Sequence, residues 1–228
     1  MQIIRSPWSD PFRNCALEER LLKESSDDIL LLYINSPAVI VGRHQTVAAE
    51  VDCRFCEDHH IAIARRISGG GAVYHDEGNI NYAFTVSSAD GTPALDRDFT
   101  APIAAALRAL GVDAVVGSRK EIRCGGYKVS GTASHVWRHR QLFHGTLLHN
   151  VNLQRLKQAL RGNPAVRGKG IASVPDKVVN ISSLLPVRET TEQFLLRMAD
   201  FWQDYYRSST KELPMQLQWQ PPTQRVVS

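Results

Sequence analysis

Residues 65–79 carry the densest chemical signal in the sequence: Arg65-Arg66-Ile67-Ser68-Gly69-Gly70-Gly71-Ala72-Val73-Tyr74-His75-Asp76-Glu77-Gly78-Asn79. Three adjacent residues without a Cβ let the backbone approach a ligand closely and aim N–H groups at phosphate or carboxylate oxygens. A guanidinium just before them adds charge-assisted bonds, bidentate ones included, to the same anion. Glycine clusters also mark ordinary turns. This one is not a P-loop, because it lacks Gly-Lys-Ser/Thr, and not a dinucleotide fingerprint, because it lacks Gly-x-Gly-x-x-Gly and a following helix.

A second segment, Gly125-Gly126-Tyr127-Lys128-Val129-Ser130-Gly131-Thr132-Ala133, sets one lysine between glycines at the start of a strand. An ammonium there can stabilise charge developing on a leaving or bridging phosphate oxygen; a solvated strand-end lysine is the plainer alternative. Two further segments are Phe143-His144-Gly145-Thr146-Leu147-Leu148 and Gly168-Lys169-Gly170-Ile171-Ala172-Ser173-Val174. His144 beside a glycine can hydrogen-bond a ligand or orient a loop, although a lone histidine is more often a satisfied structural residue.

The elements that must position these residues follow from periodicity. Ala16, Leu17, Leu21 and Leu22 recur at helical spacing between Asn14 and Lys23, after the turn signal Asp10-Pro11. The apolar runs 29–34 and 38–41, separated by Asn35-Ser36-Pro37, predict two buried strands joined as a hairpin. Strands are predicted at 61–64 and 80–86 on either side of the glycine cluster. Phe99, Ile103, Leu107 and Leu110 fall on one helical face. A longer hairpin is predicted over 127–150, turning at Arg138-His139-Arg140, with helices at 153–160 and 191–206. From Ser208 to Ser228 three prolines and little periodicity predict an irregular arm or frayed tail. Without regular βαβ alternation, the fold class is α+β with a mixed, largely antiparallel sheet flanked by helices.

A chain of 228 residues, 43% hydrophobic and 22% charged, has the profile of one large globular domain. Four irregularly spaced cysteines do not make a disulfide framework, which favours a reducing compartment. No basic segment followed by an apolar stretch opens the chain, and no run approaches the ~18 apolar residues of a membrane span. A cytoplasmic location is therefore expected. The net charge of +4 is mild and scattered, which argues against nucleic acid and leaves an acidic protein partner open.

Taken together, the segments resemble the catalytic domain of the lipoate-protein ligase family. That family carries Arg-Arg-x-Ser-Gly-Gly-Gly-Ala-Val-x-His-Asp-x-Gly-Asn, then Lys-x-Ser-Gly-x-Ala, His-Gly-Thr-Leu-Leu and Lys-Gly-Ile-x-Ser-Val, and all four occur here in that order. The opening Asp10-Pro11-Phe12-Arg13-Asn14 with Ala16-Leu17-Glu18-Glu19 extends the resemblance over roughly Asp10 to Pro186. It implies a fold like that of class II aminoacyl-tRNA synthetase and biotin ligase catalytic domains. It also implies ATP with Mg2+, lipoate or octanoate as the acid, and an acyl adenylate passed to an acceptor lysine. The acceptors implied are lipoyl-acceptor domains of 2-oxoacid dehydrogenase E2 subunits and the glycine-cleavage H protein. No enzyme nucleophile is needed; positioning and charge stabilisation are.

By the same resemblance Lys128 is the catalytic lysine and Arg66 holds the carboxylate or adenylate. Gly70, Gly71, Ala72 and Val73 line the acyl tunnel and phosphate site. Asn79, His144, Ser130, Gly131 and Ala133 stand near the adenylate, and Ser68 and Glu121 complete the substrate-binding set. No residue is assigned as a metal ligand. Residues 1–206 are expected to form the catalytic domain and 207–228 a tail without the accessory domain of longer members; either a separate partner protein supplies that domain or the enzyme works without it. Where the family has an Asn-Asp pair, this chain has Arg119-Lys120-Glu121-Ile122, with Glu121 as the retained acid.

Several alternatives remain at this point. Cys124, close to Lys128 and beside Arg123, could serve an ATP-independent octanoyl or lipoyl transferase as a thioester-forming nucleophile, although a single strand cysteine is more often a small buried hydrophobe. Cys53-x-x-Cys56 with His59 and His60 invites a zinc reading but lacks a second ligand pair. A non-catalytic protein that binds lipoyl domains is opposed by the intact Arg66, glycines and Lys128. A biotin ligase is opposed by the full lipoate-type signature.

Overall fold

The computed structural model describes residues 1–87, 98–168, 170–207 and 210–212. In chain order the elements are β1 (Gln2–Arg5), α1 (Pro11–Glu24), β2 (Ile29–Ile34), β3 (Ala38–Val41), α2 (Val47–Glu50), α3 (Cys53–Asp58), β4 (Ala62–Arg65), β5 (Val73–His75) and β6 (Asn79–Ser87). They continue as α4 (Thr100–Ala109), β7 (Ala114–Val116), β8 (Ile122–Cys124), β9 (Tyr127–Ser130), β10 (Thr132–Trp137), β11 (Arg140–Leu148), α5 (Leu153–Ala159), α6 (Thr191–Tyr206) and β12 (Thr210–Glu212).

α1 starts at Pro11, three residues ahead of the predicted Asn14, because the Asp10 carboxylate caps it. Asp10 accepts from the N–H groups of Phe12 and Arg13 at 2.8 and 3.1 Å, with proline at the first helical position. Leu17, Leu21 and Leu22 face the sheet, and so does the charged Glu18.

Three sheets organise the chain. The largest has six strands in the order β10-β11-β6-β2-β1-β12; the others are β4-β3-β5 and β7-β8-β9. Pairing is antiparallel except β1 with β2 and β12, and β3 with β4. The fold is thus α+β, mixed and largely antiparallel. Alternate residues of β6 serve opposite faces: Phe84 and Val86 join α4 and α6 around Ile103, Leu107, Phe194 and Trp202, while Ala83 joins α1 around Leu21 and Leu31.

The predicted hairpin of β2 and β3 does not form. β2 lies between β1 and β6, whereas β3 is the centre of the second sheet. Every residue of β3 is buried, and all of β2 except Ile34, so neither strand has a polar face to turn to water. Each needs cover on both sides, which two central positions in different sheets supply and one two-stranded hairpin does not. The longer predicted hairpin does form over β10 and β11, turning at Arg138 and His139, while β9 departs to pair with β8. From Ser208 onward, read as irregular, β12 adds in parallel to β1; residues 213–228 lie outside the described ones. β1, α2, β5, β7 and β8 escape periodicity because each is only three or four residues long.

Candidate active site

A cavity of about 280 Å³ opens where the glycine loop between β4 and β5 meets the β9–β10 turn and residues 171–174. The loop needs its glycines. Gly70 adopts φ +90°, and a Cβ on Gly71 would stand 3.1 Å from the Ser173 Cα. Ser173 closes that side: its Oγ accepts from the Ala72 N–H at 2.8 Å, and its own N–H donates to Glu50 at 3.0 Å.

Arg66 braces the loop from within. Its Nε donates to Ser68 Oγ at 3.0 Å, Nη1 to the Ile40 carbonyl at 3.0 Å, and Nη2 to the Gly69 and Gly71 carbonyls at 2.7 and 2.8 Å. Burying a lone cation costs several kcal/mol, whereas hydrogen bonds to a charged group return roughly 1.5–3 kcal/mol each, so four of them offset the burial. Desolvation still lowers its pKa, with Cys15, Glu18 and Tyr33 opposing that shift. Four of its five N–H groups are thus committed to the protein, and the guanidinium lines the cavity. The preceding Arg65 also works on the backbone: its Nη1 donates to the Gly42, Arg43 and Gln45 carbonyls.

Opposite the loop, His144 stands on β11 with both ring nitrogens engaged. Nδ1 meets Glu18 Oε2 at 2.7 Å and Nε2 meets Ser68 Oγ at 2.6 Å. The Tyr33 hydroxyl donates to the other Glu18 oxygen at 2.9 Å. His75 lines the same wall, accepting from the Asn35 amide at 3.0 Å; its Nε2 has no partner among the described residues. Burial, reinforced by Arg66 and His144, depresses His75 to about 3, so it is neutral at physiological pH.

Lys128 differs from both arginines. Its backbone is held by residues 177–179, with N–H to the Lys177 carbonyl at 2.8 Å, but no described residue pairs with its ammonium. Desolvation lowers its pKa against the pull of Asp176. The nearby carboxylates are taken by Arg123, whose Nε donates to Glu121 at 3.0 Å and whose Nη2 donates to Asp176 at 2.5 Å. Burial would raise Glu121, but these N–H bonds hold it below the usual carboxylate range. The result is a partly desolvated ammonium at the cavity, with no ion pair among the described residues, which is suited to an anion.

The structure brings Arg66, Gly70, Gly71, Ala72, Val73, Glu121, Lys128, Gly131, Ala133 and His144 to one cavity. Ser68 lies just behind the wall, linking Arg66 to His144. Ser130 is further back, its hydroxyl 3.0 Å from the Tyr82 hydroxyl, and Asn79 donates to Asn81 at 3.0 Å. Those two do not reach the cavity, whereas Asn81 does. Sequence reasoning missed Cys15, Glu18, Tyr33, His75, Arg119 and Asp176 as site residues. Glu18, His75 and Arg119 stood inside quoted segments, but none of them was assigned a role there. Lys169 lies outside the described residues.

Neither Cys124 nor Cys15 is activated as a nucleophile by its surroundings. Cys124 is buried among Ile122 and Val129, away from the cavity, and burial pushes it up to about 11. Cys15 does line the cavity, but burial raises it further. Cys53 is exposed and Cys56 buried, and among the described residues no group of three or more His, Cys, Asp or Glu could hold a metal ion.

The family described as lipoyl protein ligase A/B catalytic domain matches residues 10–203. The chain is 42% identical over 190 residues to lipoate-protein ligase 1 of Staphylococcus aureus, covering 82% of this chain and 58% of that protein. It is 37% identical over 190 residues to lipoate-protein ligase LplJ of Bacillus subtilis, covering 82% and 57%. The chain therefore spans less than two thirds of these curated relatives. Among solved structures, a lipoate-protein ligase A bound with ATP superposes with a TM-score of 0.77 at 22% identity, covering 95% of this chain and 90% of that one. A Thermoplasma acidophilum protein, described as a putative lipoate protein ligase with bound lipoic acid, gives 0.76 at 22%, covering 95% and 90%. At that identity the likeness bears on fold alone.

Proposed function

We propose that this chain, which belongs to the lipoyl protein ligase A/B catalytic-domain family, activates lipoate or octanoate with ATP and passes the acyl group to a lysine of a lipoyl-acceptor domain. The observation that carries the reading is the pairing of two cations of different character across one small cavity. Arg66 is fixed in a glycine cradle, and the Lys128 ammonium makes no ion pair among the described residues.

In the first step a carboxylate oxygen attacks the α-phosphorus of ATP, an O–P bond forms, and the bond to pyrophosphate breaks with the electron pair leaving on the pyrophosphate. In the second the neutral amine of the acceptor attacks the acyl carbon, AMP leaves with its oxygen, and the amine proton is lost. Neither step needs an enzyme nucleophile. Both pass negative charge through the space between Arg66 and Lys128, where a fixed guanidinium and a desolvated ammonium are worth more than in water. Ile40, Ala72, Val73, Ile171 and Val174 give the acyl chain an apolar wall. The carboxylates beside the cavity are all engaged, so Mg2+ would enter on the phosphates of ATP, keeping several of its waters as that ion usually does.

The acceptors proposed are E2 lipoyl domains and the glycine-cleavage H protein; a neighbouring solved structure pairs a bi-partite lipoate protein ligase with an E2 lipoyl domain. Residues 1–206 would be the catalytic domain, and a protein carrying an accessory domain is a further candidate partner. Incubation with ATP, lipoate and an apo acceptor domain should add one lipoyl mass to the acceptor. No gain, with or without an accessory protein, would count against the reading.

A further inference from the structure

We propose that Glu18 is the positioning residue of this cavity, a buried carboxylate that sets the proton of His144 and, through Ser68, the orientation of Arg66. The inference deepens the ligase reading and rests on it only for its kinetic part.

One set of donors gives every proton along these contacts an acceptor. Ser68 Oγ already accepts from Arg66 Nε at 3.0 Å, and its 2.6 Å contact with His144 Nε2 gives its own proton an acceptor. His144 must then carry its proton on Nδ1, and the partner of that N–H is Glu18 Oε2 at 2.7 Å. The second Glu18 oxygen is occupied by the Tyr33 hydroxyl at 2.9 Å. Glu18, Tyr33, Ser68 and His144 are 2%, 4%, 0% and 7% exposed, so the links lie away from bulk solvent.

The links come from α1, β2, β11 and the glycine loop, and the chain ends on the guanidinium whose other N–H groups hold Gly69 and Gly71. Exchanging the His144 tautomer would turn Nε2 from acceptor to donor. Ser68 would then accept from both neighbours, and its proton would lose its place. An aspartate plays this part for the histidine of a serine-protease triad, where loss of the correct tautomer removes most of the activity.

Three chains test the relay by two readouts: wild type, Glu18→Gln and Glu18→Leu. The tautomer is read from the 15N shifts of His144, assigned with His144→Gln and needing no substrate. Wild type should show Nδ1–H. Glu18→Gln keeps an oxygen for His144 and turns its amide to Tyr33, so it should retain the tautomer and most of the rate. Glu18→Leu, of similar volume, should populate Nε2–H, raise KM for lipoate and lower kcat for adenylate formation, about 100-fold overall in kcat/KM, the scale of a misplacement near 1 Å. A purely structural role would lower only the amount of folded enzyme and leave KM alone.

A wild-type ring protonated on Nε2, or on both nitrogens, overturns the relay, as does a folded Glu18→Leu enzyme with unchanged tautomer and KM. If Glu18→Leu does not fold, the wild-type tautomer decides. If the tautomer is as stated but wild type activates no acid, the ligase reading fails and the relay stands.

Discussion

Two cations share the cavity, and their surroundings treat them differently. Arg66 gives four N–H groups to carbonyl and hydroxyl oxygens, whereas the Lys128 ammonium is partly desolvated with no described partner, and burial lowers its pKa. A group held in that state costs stability and is retained for what it does. Lys128→Met, which keeps the stem and removes the charge, is therefore expected to abolish acid-dependent adenylate formation while leaving the thermal midpoint unchanged or higher. The sign of its pH dependence follows from the lowered pKa. Between the folded value and the ordinary 10.5, the unfolded chain holds a proton that the folded chain does not, so wild-type stability rises with pH across that window. Melting curves of the two proteins should converge as pH rises toward 10.5; a variant less stable than wild type at neutral pH would remove Lys128 from this account. Arg66, the glycines and Lys128 were legible in the sequence because four segments in one order resemble a family, although none of the segments decides alone. Glu18 and Tyr33 were not, because a glutamate on an amphipathic helix reads as solvated until the fold sets His144, 126 positions away, against it.

At the level of elements, the cavity depends on how residues 171–179 close over β9. Arg123 on β8 reaches Asp176 and Glu121 together, and Lys128 exchanges backbone bonds with Lys177 and Val179. Arg123→Met would leave two carboxylates without their shared cation. The Val179 amide, which donates to the Lys128 carbonyl, should then lose hydrogen-exchange protection, with β6 and β11 unaffected. Unchanged protection at Val179 would show that the backbone bonds hold this segment without the ion pairs. The helices α1, α4, α5 and α6 and the β10–β11 hairpin could be foreseen because their patterns are local. The placement of β2 and β3 could not: uniformly apolar strands carry no face information, and only the whole set of strands decides which sheet each joins. The β7-β8-β9 sheet, which carries Lys128 and Arg123, is built mostly from three-residue strands that no periodicity detects.

For the whole molecule, a net charge of +4 and a pI near 9.0 bear on encounter rather than on chemistry. No helix among the described residues is long and apolar enough to cross a membrane. If the acceptor is an acidic domain, raising salt from low ionic strength to about 0.15 M should raise the KM for acceptor by screening the approach. The same change should alter acceptor-independent adenylate formation much less, because Arg66 is buried and Lys128 partly so, and such charges are screened less. Equal salt sensitivity in both steps would place the effect in the cavity instead. Formation of an acyl adenylate in this cavity is read by exchange of labelled pyrophosphate into ATP by the purified chain without acceptor. Exchange that requires lipoate or octanoate and disappears in Lys128→Met is the predicted result. Exchange that is absent with every acid tried, while acyl groups still reach an acceptor from a thioester donor, would contradict it.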